Sequence, residues 1–249
     1  MKTGTFTIIV PVFNEAGCIW EIVHRVSKLR NCFPGNVVLI LVDDGSTDGS
    51  SSVLQDVSTE QWISCISIKR RRGQHSALIA GFNAALRTAD LEIIGTMDAD
   101  MDPGPEAFLR LLPHIAVHDL LIGRRIPRPR SSLRTIVASV LRILCFLLRP
   151  NRIHDHGSMF RIYRAELGER IVRYSHHGEF VAGLSLLCAR SPVEIPVESF
   201  KPVLRASRYS IYRIAHTGWQ MIKLILHHPC GIGINRPDTR PLHRAADST

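Results

Sequence analysis

Apolar positions in the first half of the chain come in short unbroken runs. They occupy 6–10 (FTIIV), 37–42 (VVLILV), 63–68 (ISCISI), 91–97 (LEIIGTM) and 120–122 (LLI). Runs of this length, rich in β-branched residues, predict strands buried on both faces. Helical spacing fills most of the gaps, at 16–29, 49–57 and 74–86. The alternation predicts an α/β fold with a mostly parallel sheet covered by helices on both faces. Such sheets bind ligands beyond the carboxyl ends of their strands. The most polar residues gather at those ends: Asn14 and Glu15 after the first strand, Asp43-Asp44-Gly45-Ser46 after the second, Asp98-Ala99-Asp100 after the fourth.

The second half has a different pattern. Residues 131–148 read SSLRTIVASVLRILCFLL. At about 100° per residue, Arg134, Thr135, Ser139, Arg142 and Arg149 share one arc and the rest is aliphatic. The segment is shorter than the roughly 20 apolar residues a bilayer span needs. It reads equally as a helix lying in a membrane interface, giving peripheral membrane contact, or as one docked on the core. A second helix over 209–226, carrying Trp219, Ile222 and Leu226, suits either role. Beyond Pro229 the polar tail is expected to be disordered. The expected division is a catalytic domain over 1–228, with a nucleotide half over about 1–125 and an acceptor half over about 126–228, then the tail 229–249.

Composition narrows the partners. With 249 residues, 45% hydrophobic and 21% charged, the chain reads as one folded domain. Its net charge of +9 is clustered at Arg70-Arg71-Arg72 and over 124–134, which points to anionic partners. No nucleic-acid-binding motif or aromatic stacking pattern accompanies the charge, so nucleic acid is set aside. The 6 cysteines have no CxxC or zinc-site spacing and are expected to be reduced and structural, in a cytoplasmic protein. The apolar stretch at the N-terminus is too short for a signal h-region. His154, His156, His176 and His177 lie among polar residues without ligand spacing and are expected at the surface.

Asp98 and Asp100 share one side of an extended segment, and Asp102 joins them if the segment stays extended. Hard oxygen ligands of this kind suit Mg²⁺ or Mn²⁺. A strand leading in and Pro103-Gly104-Pro105 leading out place these acids at a strand mouth. In Asp43–Asp48 the later residues read as a turn with Thr47 or Asp48 capping the next helix. That leaves the Asp43-Asp44 pair for a base N–H or ribose hydroxyls. Gly73-Gln74 opens a helix just after three arginines, an arrangement that favours anions.

In order along the chain, IVPVFNE (9–15), VDDGSTD (42–48), GQHSALIAG (73–81), MDADMDPGPE (97–106), IGRR (122–125), DHGSMFRIYRAE (155–166) and VEIPV (193–197) resemble the inverting family-2 glycosyltransferases with a GT-A fold. Within that family they look most like the branch that loads sugars onto polyprenyl phosphates, the dolichol-phosphate mannose synthases and undecaprenyl-phosphate aminoarabinose transferases. The similarity runs over about residues 5 to 228. It implies that Pro11, Phe13, Glu15, Asp43, Asp44 and Gln74 hold the nucleotide of a UDP- or GDP-sugar. Asp98 and Asp100 would bind its diphosphate and the metal, with Asp102 as a further ligand where relatives often carry Gln. Arg125, Arg134, Ser158, Arg161 and Arg208 would face the acceptor or the phosphates. A polyprenyl phosphate acceptor is already anionic and needs no general base, whereas a hydroxyl acceptor needs one. Asp155 and Glu179 are the candidates for that base.

One stretch departs from the family. Relatives carry Arg-x-x-Gly-x-Ser-Lys-Tyr where residues 202–209 read PVLRASRY. Ser207 and Tyr209 persist, the leading Arg and the Gly are missing, and Arg208 replaces Lys. Arginine and lysine are not equivalent phosphate ligands. A soluble hydroxyl acceptor, such as a nucleoside or natural-product intermediate, is therefore the alternative. A non-catalytic nucleotide-sugar-binding protein would have no need of the intact acidic triplet.

Overall fold

The computed structural model describes residues 4–125, 153–175 and 180–198. Arg134, Glu179, Arg208, His176, His177, the expected helices at 131–148 and 209–226 and the tail lie outside the described residues.

All five expected strands form, most of them reaching slightly beyond their apolar runs. β1 (Thr5–Val12) is buried along nearly its whole length, as an unbroken apolar run requires. It pairs in parallel with β2 (Asn36–Asp43) on one side and β4 (Leu91–Thr96) on the other. β3 (Ile63–Ser67) continues the parallel sheet beyond β2. β5 (Leu120–Arg125) does not join β4 directly. β6 (Arg161–Arg164) lies between them, antiparallel to both, and β7 (Pro192–Val197) runs parallel to β5 at the edge. The order is β3-β2-β1-β4-β6-β5-β7.

β6 was not expected as a strand. Its sequence, RIYR, has arginine at both ends and reads as polar. Its burial comes from the neighbouring strands on each side, which supply the ladder its own pattern does not announce.

Alternate residues of β1 feed two cores. Phe6, Ile8 and Val10 pack with Ile19, Ile22 and Val26 of α1 (Ala16–Cys32) and with Phe108 of α4 (Phe108–Leu111). Ile9 packs on the other face with Ala77, Leu78 and Phe82 of α3 (Gln74–Ala85), Leu167 of α5 (Ala165–Tyr174) and Val181 of α6 (Val181–Cys188). A Cβ at Gly81 would sit 2.3 Å from Ile9 Cγ2, so glycine is what lets α3 lie this close to β1. Helix α2 (Ser50–Val57) follows β2.

Because β6 alone is reversed, the carboxyl ends of β1, β2, β4 and β5 and the amino end of β6 share one edge. The order in which strands are added reverses between the parallel neighbours β1 and β4, and at such a point α/β sheets open a ligand crevice. Among the described residues no helix is long and apolar enough to cross a membrane.

Candidate active site

Three loops meet at the β1–β3 side of this edge and are laced by side chains. Asn14, with φ of 54°, takes the left-handed conformation that turns the chain from β1 into α1. Its Oδ1 accepts from the Thr47 backbone N–H at 2.8 Å, and its own N–H donates to Ser46 Oγ at 3.0 Å. Glu15 N–H donates to Ser50 Oγ, and Ala16 N–H to Asp48 Oδ2. Asp48 Oδ1 accepts from Ser50 Oγ at 2.5 Å, and that hydroxyl holds the Asp48 carboxyl below the usual carboxylate range. Asp48 therefore serves the first turn of α1 as well as that of α2, which begins at an uncapped Gly49.

The Asp43-Asp44 pair, which the sequence leaves for a ligand, already has structural partners. Asp43 accepts from Ser46 N–H at 2.9 Å and from Ser51 Oγ at 2.7 Å. Asp44 accepts from the backbone N–H groups of Arg72 at 2.7 Å and Gly73 at 2.8 Å. Both carboxylates are almost fully buried. Asp44 thereby pins the arginine-rich loop beside β2. Gly45, with φ of 75°, fits there because a Cβ would meet Arg71 N at 2.7 Å. The pinned loop lays the Arg71 guanidinium over the Phe13 ring, 4.0 Å from its centroid. Pro11 and Glu15 are half-buried beside it.

At the mouth of β4, Gln74 Nε2 donates to Asp98 Oδ1 at 2.6 Å, tying the start of α3 to the acidic triplet. The segment does not stay extended. Met101, with φ of 55°, closes a turn in which its N–H donates to Asp98 O. Side-chain alternation fails there, so Asp102 is not carried to one side with Asp98 and Asp100. Among the described residues no three His, Cys, Asp or Glu side chains converge into a metal-holding group. What stands at the mouth is a set of half-buried carboxylates, Asp98 and Asp100 with Asp102 beyond the turn. Such a partial set suits a hard cation that takes the rest of its shell from substrate phosphate and water.

The other side of the edge is built from charged side chains. Thr96 Oγ1 donates to Met159 O at 2.6 Å, joining the end of β4 to the loop that enters β6. Arg125 Nε, at the end of β5, donates to Asp155 Oδ2 at 3.4 Å. Glu194 of β7 accepts backbone N–H groups from His154 and Asp155. The sequence signal for Glu194 is a lone acid within the apolar run of VEIPV.

Arg161 and Ser158 are placed differently from expectation. Arg161 is fully buried, and its guanidinium donates to the carbonyls of His156, Ser158 and Ala182 and to Ser185 Oγ. It braces the loop from within and does not line the open edge, because β6 draws it between β4 and β5. Ser158, also buried, donates to Gly123 O. His156, expected at the surface, is buried too, its carbonyl drawn inward by Arg161. Burial, and then the Arg161 charge, push its imidazole down to about 4.

A seven-stranded, mostly parallel sheet with one reversed strand and an acidic turn at the mouth of β4 defines an α/β enzyme of the GT-A architecture. The chain belongs to glycosyl transferase family 2, whose family model matches residues 7–171. It is a glycosyl-transferring enzyme. The undecaprenyl-phosphate 4-deoxy-4-formamido-L-arabinose transferase of Proteus mirabilis is 27% identical over 231 residues, covering 92% of this chain and 70% of that protein. Among solved structures, mannosyl-3-phosphoglycerate synthase from Rubrobacter xylanophilus superposes with a TM-score of 0.63 at 16% identity, covering 91% of this chain and 75% of that one. Glucosyl-3-phosphoglycerate synthase from Mycobacterium tuberculosis, in complex with Mn²⁺, UDP and glucosyl-3-phosphoglycerate, gives 0.61 at 19% identity, covering 93% and 82%. At such identities the solved structures establish the fold.

Proposed function

We propose that this enzyme moves a sugar from a UDP- or GDP-sugar to a polyprenyl phosphate, at the cytoplasmic face of a membrane. The observation that carries the reading is the meeting, on one sheet edge, of the laced acidic loops with the Arg125–Asp155 pair. The likeness to an undecaprenyl-phosphate transferase over most of this chain supports the acceptor class.

In this reading Phe13, Glu15 and the Asp43 loop receive the nucleoside, and Gln74 orients Asp98. Asp98 and Asp100 would hold Mg²⁺ or Mn²⁺, which neutralises the leaving nucleoside diphosphate when bound. Arg125, partly exposed at the end of β5, orients an acceptor phosphate, with Asp155 fixing its direction. A phosphate oxygen needs no proton removed before it attacks the anomeric carbon. The roles of Arg134 and Arg208 on the acceptor side, and interfacial contact by 131–148, belong to the same proposal. So does the division into a nucleotide half over about 1–125 and an acceptor half over about 126–228.

A second reading keeps the donor chemistry and gives the enzyme a soluble hydroxyl acceptor. It is favoured by the placement of Asp155, a carboxylate at the active edge able to serve as general base. Purified protein with Mn²⁺ and a panel of radiolabelled UDP- and GDP-sugars, with and without undecaprenyl phosphate, separates the two. Label passing into the organic phase only with the lipid supports the first reading. Donor turnover that ignores the lipid overturns it in favour of the second.

A further inference from the structure

β7 carries one acid, Glu194, in an otherwise apolar strand, opposite Ile122 of β5 and with only 6% of its side chain exposed. Oε1 accepts the backbone N–H of His154 at 3.0 Å and that of Asp155 at 2.6 Å. Oε2 lies 3.1 Å from the same His154 nitrogen and 2.9 Å from its ring Nδ1. Arg124 of β5 approaches to 4.0 Å. A carboxylate taken out of water needs such donors to be tolerated. Here they belong to the residue that pairs with Arg125 and to the residue before it, so the acid on β7 sets where Asp155 begins.

Asp119 offers an internal comparison. It too is a nearly buried acid accepting backbone N–H groups, from Arg190 and Ser191 at 2.8 Å each, and it holds Arg170 at 2.9 Å. It precedes β5, at the opposite edge of the sheet. Of these two acids with the same local chemistry, Asp119 stands just before β5 and Glu194 at the third position of β7, and Glu194 alone holds the backbone that carries Asp155.

We propose that Glu194 is a positioning residue for glycosyl transfer, fixing the His154–Asp155 backbone and through it the direction in which Asp155 holds Arg125. The proposal rests on the reading of Arg125 and Asp155 as the acceptor half of the site. Asp155 leaves the backbone that Glu194 clamps, and the loop beyond it is already fixed at Thr96 and Arg161. Removing the clamp thus loosens the stretch of this loop that carries Asp155, the partner of Arg125.

The test compares Glu194→Ala, Glu194→Gln and Asp119→Ala with the natural enzyme. Nucleoside diphosphate release is followed with undecaprenyl phosphate present, counted per folded molecule after urea titration. Glu194→Ala is expected to lower kcat about 100-fold, with KM for the nucleotide sugar within about twofold, as misplaced reacting groups do. Glu194→Gln keeps one oxygen for the two backbone amides and is expected to recover about tenfold of that loss. Asp119→Ala is expected to lower stability and leave kcat within about twofold. Unchanged kcat in folded Glu194→Ala, an equal loss in Asp119→Ala, or no recovery in Glu194→Gln would overturn the proposal. If the natural enzyme releases nucleoside diphosphate without labelling the lipid, the polyprenyl-phosphate reading fails, and the same ratios still decide the part played by Glu194.

Discussion

On the β1–β3 side of the active edge, loops are joined by short polar side chains that accept from backbone amides of neighbouring loops. Asn14, Asp43, Asp44 and Asp48 reach residues close to them in sequence or one loop away. On the β5–β7 side the ties are long and charged. Arg161 reaches Ala182 and Ser185, Arg125 reaches Asp155, and Glu194 reaches back to 154 and 155. The first arrangement makes a rigid cradle whose chemistry is largely committed to its own shape. The second leaves Arg125 partly exposed at the edge, backed by Arg161 and Glu194, buried charges that must stay paired. A donor common to a family and an acceptor that varies would make these different demands.

The largest effect is expected at the seam between the halves. Asp100→Ala should cut turnover about 1,000-fold, since a metal-held diphosphate is stabilised by several kcal/mol in the transition state; steady-state kinetics at saturating Mn²⁺ would read it. Arg161→Met should cost about 3 kcal/mol in urea unfolding, because the carbonyls of 156, 158 and 182 lose their donor inside the protein. A variant that kept full stability and lost turnover would instead return Arg161 to the substrate. Asp44→Ala should cost about 2 kcal/mol by orphaning two backbone amides, and should weaken nucleotide-sugar affinity as the Arg71 loop loosens; calorimetric titration checks the second part.

The last effect is a slope with pH. The His156 imidazole sits at about 4 in the folded protein against 6.5 in an open chain. The unfolded chain therefore takes up a proton first as pH falls. Stability is unaffected by this group above 6.5, declines between 6.5 and about 4, and loses nothing further below. Denaturation at pH 7 and pH 5 should show the decline, and His156→Gln should flatten it.

The β1–β3 half was legible in the sequence because its strands are unbroken apolar runs and the polar residues that tie its loops stand in short clusters at the strand ends. The five expected strands and the carboxyl edge they share follow from pattern alone. Alternation carries the argument for Asp98 and Asp100 but stops short of Asp102, because it holds only while a chain stays extended and Met101 ends that. The other half escaped because its determinants are remote. Nothing local marks RIYR as a strand; β4 and β5 make it one. Arg161 reads as a surface cation until its neighbours close over it, and Glu194 gains meaning only beside residues forty positions earlier.

The reversed strand has a consequence for how the molecule is made. β5 pairs with β6 and β7 and with no earlier strand. On the ribosome, residues 120–125 emerge while the strands that will receive them are still unmade. At about 5–20 residues per second, the wait for β6 lasts roughly 2 to 7 seconds. Through that interval Leu120, Leu121 and Ile122 have no partner strand, while β1 to β4 already have one another. The laced loops of the β1–β3 side can therefore be complete in a nascent chain before the β5–β7 side exists, and for those seconds an unpaired apolar strand is open to other chains.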